Sequence, residues 1–276
     1  MKYIDIHSHL GFEDYGVDKI EVINRMKEAG VGTIAVGADL VTSIEAVKVA
    51  TENENIWACI GQHPTHNMIE TEVTHGSLGF NEVEFEKLVS NSKVVAVGEC
   101  GLEYYKLVGT PEEIEKIKEK QKADFIKQIK FALKYDKALM LHIRDGEVRG
   151  EAFNDVYEIL NKIKQEQNFT SFRGDVHFFT GKLDMAQKFI ELGFTISFVG
   201  LITYIHDFDK IIKAVLLTSL QAETDAPYVS PVPYRGQRNE PIYVVEVYKK
   251  IAKIRGEDPE VVRLQLLENA KRVFGI

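Results

Sequence analysis

The chain has 276 residues, 45% hydrophobic and 28% charged, proportions that suit a soluble globule and exclude disorder, collagen-like repeats and coiled coil. Its 34 basic and 42 acidic residues leave a formal charge of −8, opposite to a protein that coats nucleic acid, so any polyanion must be gripped locally. At this length the chain is either two ordinary domains or one α/β barrel.

The elements follow one another as repeated βα units. Strand-like runs stand at Tyr3 to Ile6, Thr33 to Val36, Ile56 to Ile60, Val94 to Val97, Ala138 to Leu141, Gly174 to Val176, Phe194 to Phe198 and Ser219 to Ala222, each followed by a stretch with helical spacing. Before the fourth helix, Thr110, Pro111 and Glu113 form a capping box, and the helix runs to about Tyr135. No linker or low-complexity tract interrupts the pattern, so residues 1–276 are read as one (β/α)8 TIM barrel. A doubly wound open sheet is the rival, but it would scatter the polar residues along two edges. Leu192 to Ile205, the most apolar long stretch, contains Gly, Ser and Thr and falls short of the ~20 residues that span a membrane. With no apolar leader after Met1, the chain is expected to be cytoplasmic, with no membrane association and no obligate protein partner. Cys59 and Cys100 lack metal-binding spacing and read as reduced core thiols.

Ionisable residues recur where these strands end. His7 and His9, two apart, point the same way if the first strand stays extended, a pattern that suits a structural pair as well as a metal site. Glu99, His142, His177 and Asp225 then occupy the same place in later units. The C-terminal ends of barrel strands share one face, so all six residues can meet around the axis. Four imidazoles and two carboxylates are too many for one tetrahedral ion and suit two ions with a bridging carboxylate. Two divalent cations outweigh two carboxylates and a hydroxide, so the site favours an anion, and a phosphodiester matches. Histidine richness favours Zn, Mn, Fe or Ni over Mg.

These residues stand in the words Asp5-Ile6-His7-Ser8-His9-Leu10, Gly61-Gln62-His63-Pro64, Gly98-Glu99-Cys100-Gly101-Leu102-Glu103-Tyr104-Tyr105, Leu141-His142-Ile143-Arg144-Asp145, His177-Phe178-Phe179 and Glu223-Thr224-Asp225-Ala226-Pro227-Tyr228. The chain resembles the TatD family of metal-dependent deoxyribonucleases over nearly its whole length. The resemblance implies an amidohydrolase-like barrel that binds divalent metals and hydrolyses DNA, often from the 3′ end. By that resemblance His7, His9 and Asp225 hold one metal, His142 and His177 the other, and Glu99 bridges them. Asp225 also accepts a proton from the attacking, metal-activated water, and His63 contacts phosphate. Cys100, Glu103 and Phe178 stand where the family usually has Thr, Asp and Cys, which bears on substrate fit.

Around this set, His66 follows His63 in a loop on the same face, and Arg144 shares the direction of His142, its planar fork suiting phosphate. A salt bridge from Arg144 to Asp145 or Glu147 is the competing use. Arg235 and Arg238 lie in the Pro231 to Pro241 loop, which could reach over the site. Tyr105, Phe179 and Tyr234 could stack on bases, though core packing is the commoner use. Glu223 should face the same interior as Asp225 and orient a ligand. The expected reaction is a 3′-5′ exonuclease activity on DNA, at single-stranded or frayed ends because an acidic chain has little grip on a duplex. The alternative is an amidohydrolase-type enzyme cleaving an amide, lactone or cyclic amidine, against which Glu99 stands where many such enzymes place a modified lysine. A non-catalytic metal-binding protein is the remote alternative.

Overall fold

The computed structural model describes residues 1–67 and 79–276, with side chains for 1–65 and 79–276. The expected strands form one parallel sheet in sequential order: β1 (Tyr3–Ser8), β2 (Val31–Val36), β3 (Ile56–Ile60), β4 (Val94–Glu103), β5 (Ala138–Arg144), β6 (Gly174–Val176), β7 (Phe194–Phe198) and β8 (Leu220–Ala222). Between and after them lie α1 (Lys19–Ala29), α2 (Leu40–Glu52), α3 (Glu82–Val89), α4 (Pro111–Lys134), α5 (Glu151–Gln167), α6 (Leu183–Glu191), α7 (Asp209–Ala214), α8 (Val244–Arg255) and α9 (Pro259–Phe274). The sheet curls into a nearly closed barrel. No helix among the described residues is long and apolar enough to cross a membrane.

Sequence and structure differ most where the site is built. β1, β4 and β5 run beyond the expected ends to Ser8, Glu103 and Arg144, so Glu99 lies inside a strand rather than closing it. The β1–β2 register slips between Asp5 and Ser8, and the β4–β5 register slips between Val97 and Cys100. Each irregularity brackets a site residue, His7 in one and Glu99 in the other. An extra residue in a strand re-aims a side chain, which regular alternation could not have placed there.

Two hydrophobic clusters hold the barrel. Leu139, Leu141, Val176, Ile196 and Leu220 pack outward against the helices, while Ile4, Ile34, Val36 and Met140 join Leu267, Ala270, Val273 and Phe274 of α9. Across β6–β8 the buried layer is polar instead: Asp175 accepts hydrogen bonds from Thr195 (2.6 Å) and Ser197 (2.5 Å). Burial, joined by the charge of Glu223, pushes the Asp175 carboxyl up.

The α4 cap takes its expected form, with Thr110 Oγ1 accepting from Glu113 N–H at 3.3 Å and Glu113 Oε2 from Thr110 N–H at 2.7 Å. Thr110→Ala should therefore cost about 1 kcal/mol. In calorimetry that is a fall of about 2–4 °C in Tm for a domain of this size, and an unchanged Tm would show that the cap contributes nothing.

Candidate metal centre

All six expected ligand residues converge at the C-terminal mouth of the barrel. His7 and His9 come from β1 and the residue following it, Glu99 and His142 from β4 and β5, His177 from just after β6 and Asp225 from beyond β8. The two carboxylate oxygens of Glu99 face different partners. Oε2 lies 3.5 Å from His7 Nε2 and 3.8 Å from His9 Nε2. Oε1 lies 2.6 Å from His142 Nδ1, 3.4 Å from His177 Nε2 and 3.6 Å from His63 Nε2.

The first group is completed by Asp225 Oδ1, 3.8 Å from His7 Nε2 and 3.4 Å from His9 Nε2, with the two imidazole nitrogens 3.4 Å apart. A tetrahedral ion with ligands at ~2.0–2.2 Å spaces them by ~3.3–3.6 Å, so the separations of 3.4 to 3.8 Å suit a small divalent cation. Ligand-type atoms of His63, Glu99 and His142 likewise lie within 4.8 Å of one another. His63, expected as a phosphate contact, thus sits beside the second group of ligand-type atoms.

Neighbouring carboxylates orient the imidazoles. Glu223 Oε2 lies 3.0 Å from His177 Nδ1, and its other oxygen accepts from Phe178 N–H at 2.7 Å. Glu103 does the same on the other side, 3.0 Å from His142 Nε2 and accepting from Tyr105 N–H at 2.7 Å. Such partners fix the ring orientation and tautomer of a ligating histidine. Glu223 was expected in this role. Glu103 was noted only for differing from the family residue, and its i+4 spacing from Glu99 along a strand longer than foreseen was the available signal.

The charges interlock. Burial alone would raise Glu99, but His177, His63 and His7, with the hydrogen bond from His142, hold it well below the carboxylate range. Burial likewise opposes protonation of His142 and His177. Hydrogen bonds to Glu103 and Glu99 nevertheless push His142 up to about 9, and the charges of Glu223 and Glu99 push His177 up to about 10. His7, buried and next to His177, is held down. These are the affinities of a cationic cluster for carboxylates, in which protons occupy places that suit metal.

Above the cluster opens a cavity of about 720 Å³ with Phe12, Phe178, Leu201 and Tyr228 on its walls and Arg144 at its edge. Arg144 stacks over the Tyr105 ring at 4.0 Å and lies 4.0 Å from Glu103; among the described residues no other Arg or Lys lines the cavity. Arg235 stacks instead over Tyr204 at 4.0 Å, outside the lining. Arg238 pairs with Asp18, Tyr234 stacks on Tyr243 at 3.8 Å, and Phe179 is core. The side chain of His66 lies outside the described residues.

Residues 4–275 match the family model described as TatD related DNase. The chain belongs to this family. It is 34% identical over 275 residues to YabD of Bacillus subtilis, described as an uncharacterized metal-dependent hydrolase, covering 99% of this chain and 98% of YabD. It is 30% identical over 280 residues, 98% of each chain, to the 3′-5′ ssDNA/RNA exonuclease TatD of Yersinia pseudotuberculosis. The crystal structure of YjjV, a TatD homologue from Escherichia coli, superposes with a TM-score of 0.82 at 26% identity, covering 100% of this chain and 98% of YjjV. The TatD relationship makes the barrel that of a metal-dependent hydrolase.

Proposed function

We propose that this TatD-family hydrolase removes nucleotides from the 3′ ends of single-stranded DNA, using two divalent cations shared across Glu99. The observation that carries the reading is the division of the Glu99 oxygens between two groups of ligand-type atoms. His7, His9 and Asp225 would hold one cation, and, as the family resemblance implies, His142 and His177 the other, both approaching Glu99 Oε1 together with His63. When bound, the cations supply Lewis-acid activation of water and of a phosphoryl oxygen. Asp225, partly open to the cavity, takes the proton that the attacking water loses.

The lining residues argue for an anionic substrate whose binding depends on metal. Glu99, Glu103 and Asp225 line the cavity together with Arg144 and the imidazoles of His9, His63, His142 and His177, and cations held among them add the positive charge that draws in a phosphodiester. Arg144, stacked on the Tyr105 ring, offers a fork to a phosphate. Phe12, Phe178 and Tyr228 give an apolar wall for a terminal base. The relative named as an exonuclease on ssDNA and RNA fits the same substrate class.

End-labelled oligonucleotides digested with Mn or Mg, beside a panel of amides and lactones, test the reading. A ladder shortening from the 3′ end, abolished by chelation, is expected. No cleavage with any divalent ion, or turnover confined to amides and lactones, overturns it. Arg144→Ala should raise KM for the oligonucleotide roughly tenfold with kcat little changed, the loss of one charge-assisted contact. Arg144→Lys should not restore it, because lysine lacks the planar fork.

A further inference from the structure

The proposed ligands do not all stand on laddered strands. β4, β5 and β6 are laddered neighbours, with pairing on both sides of the slip at Glu99, and they carry Glu99, His142 and, just beyond β6, His177. His7, His9 and Asp225 instead face each other across the seam between β1 and β8, the ends of the strand order. Among the described residues the one β-bridge across this seam joins Ser8 to Ala226, flanked by His9 N–H to Ala226 O (2.7 Å) and Asp225 N–H to His7 O (3.0 Å).

Below that bridge side chains replace the ladder. Tyr248 of α8 serves both edge groups of Ile4: its hydroxyl donates to Ile4 O at 2.9 Å and accepts from Ile4 N–H at 3.3 Å. Asn269 of α9 donates to Leu217 O and Leu220 O on the β8 side, each at 2.8 Å. Asp5 is the link that crosses directly. Its Oδ1 accepts from Thr224 N–H at 2.8 Å and from His7 N–H at 3.2 Å, and its Oδ2 from Thr224 Oγ1 at 2.6 Å. Thr224 Oγ1 in turn accepts from Ala226 N–H at 3.1 Å. One fully buried carboxylate therefore ties the backbone at His7 to residues on both sides of Asp225.

We infer that Asp5 is a positioning residue for the His7, His9 and Asp225 group, holding together the two barrel edges that carry it. This rests on the metal reading above, and it adds an asymmetry: loosening the seam spreads the first group and leaves the laddered second group in place. Hydrogen-bonded partners of ligands typically set 10–100-fold in metal affinity. Asp5 acts on the backbone beneath the ligands, a route through which a displacement of a few tenths of an ångström moves His7 and Asp225 apart.

Two variants test this, Asp5→Ala and the near-isosteric Thr224→Val, which keeps the Asp5 carboxylate and removes the hydroxyl that links its Oδ2 to Ala226 N–H. Amide exchange of the chelated proteins, with circular dichroism to confirm folding, should be at least tenfold faster at 7–9 and 224–226 and unchanged in β4–β6. Co(II) binding is then followed by visible absorption in a His142→Ala background, which isolates the first group, and in a His9→Ala background, which isolates the second. Affinity should fall roughly 10-fold or more in the first background and stay within about threefold in the second. Equal losses in both, or faster local exchange with unchanged Co(II) affinity, overturn the positioning role. Failure of the unsubstituted seam to bind Co(II) in the His142→Ala background overturns the metal reading and this inference with it, an outcome that the exchange data keep distinct from a seam that never loosened. Should Asp5→Ala not fold, Thr224→Val carries both readouts.

Discussion

Glu99→Gln should empty both cation groups and reduce hydrolysis by more than the roughly 10–100-fold that an outer partner such as Glu223 costs when removed. The carboxylate is 4% exposed and each oxygen faces its own cluster of imidazoles, so no neighbour can substitute for it. A neutral amide presents one oxygen where two are needed and turns an N–H toward one set of nitrogens. Asp225→Asn makes the useful contrast. The amide oxygen can still face His7 and His9, so metal content should be largely kept while kcat falls about 10²–10⁴-fold through loss of the proton acceptor. Metal analysis of both variants beside their hydrolysis rates separates the roles. If Glu99→Gln retains two ions per chain, the shared-carboxylate arrangement is wrong. If Asp225→Asn keeps its full rate, proton acceptance belongs elsewhere.

The barrel and the ring of ligand-type residues were legible in the sequence because both follow from local pattern. β-branched runs located each strand to within a few residues of its core, and the rule that parallel strands present their C-terminal ends together gathered His7, His9, Glu99, His142, His177 and Asp225. What escaped depends on geometry that period-two alternation does not contain. The register slip around Glu99 lets β4 continue to Glu103, and only that extension brings the Glu103 carboxylate to His142. His63 lies in a loop with no strand register to aim it, so only the family resemblance gave it a role at phosphate, and its position 3.6 Å from Glu99 was not legible. Arg144 keeps to the site, whereas Arg235, of the same chemistry, is drawn onto Tyr204. The seam is the least legible feature, since Asp5 with Thr224 and Ile4 with Tyr248 pair residues 219 and 244 positions apart.

Raising the pH should destabilise the chelated protein far more than the metal-loaded one. His142 and His177 are pushed up to about 9 and about 10, above the ~6.5 of an unfolded histidine. A group whose pKa is raised on folding stabilises the fold fully below its unfolded value, and that contribution disappears as pH climbs through the folded one. The alkaline loss therefore runs from about pH 6.5 to 10. Glu99 and Asp225 are depressed, so their share is present above the unfolded carboxylate values near ~4 and is lost only as acid protonates them. His7, held neutral by burial, adds to that acid limb. In the loaded protein cations replace those protons, so the same rise in pH removes nothing from the cluster and instead favours metal over its competitor. Urea midpoints of chelated and Mn-loaded protein at pH 6.5 and 10 measure the difference, since lysines and tyrosines outside the site titrate alike in both. Parallel alkaline losses in the two forms would mean that His142 and His177 are not the groups that exchange protons for metal.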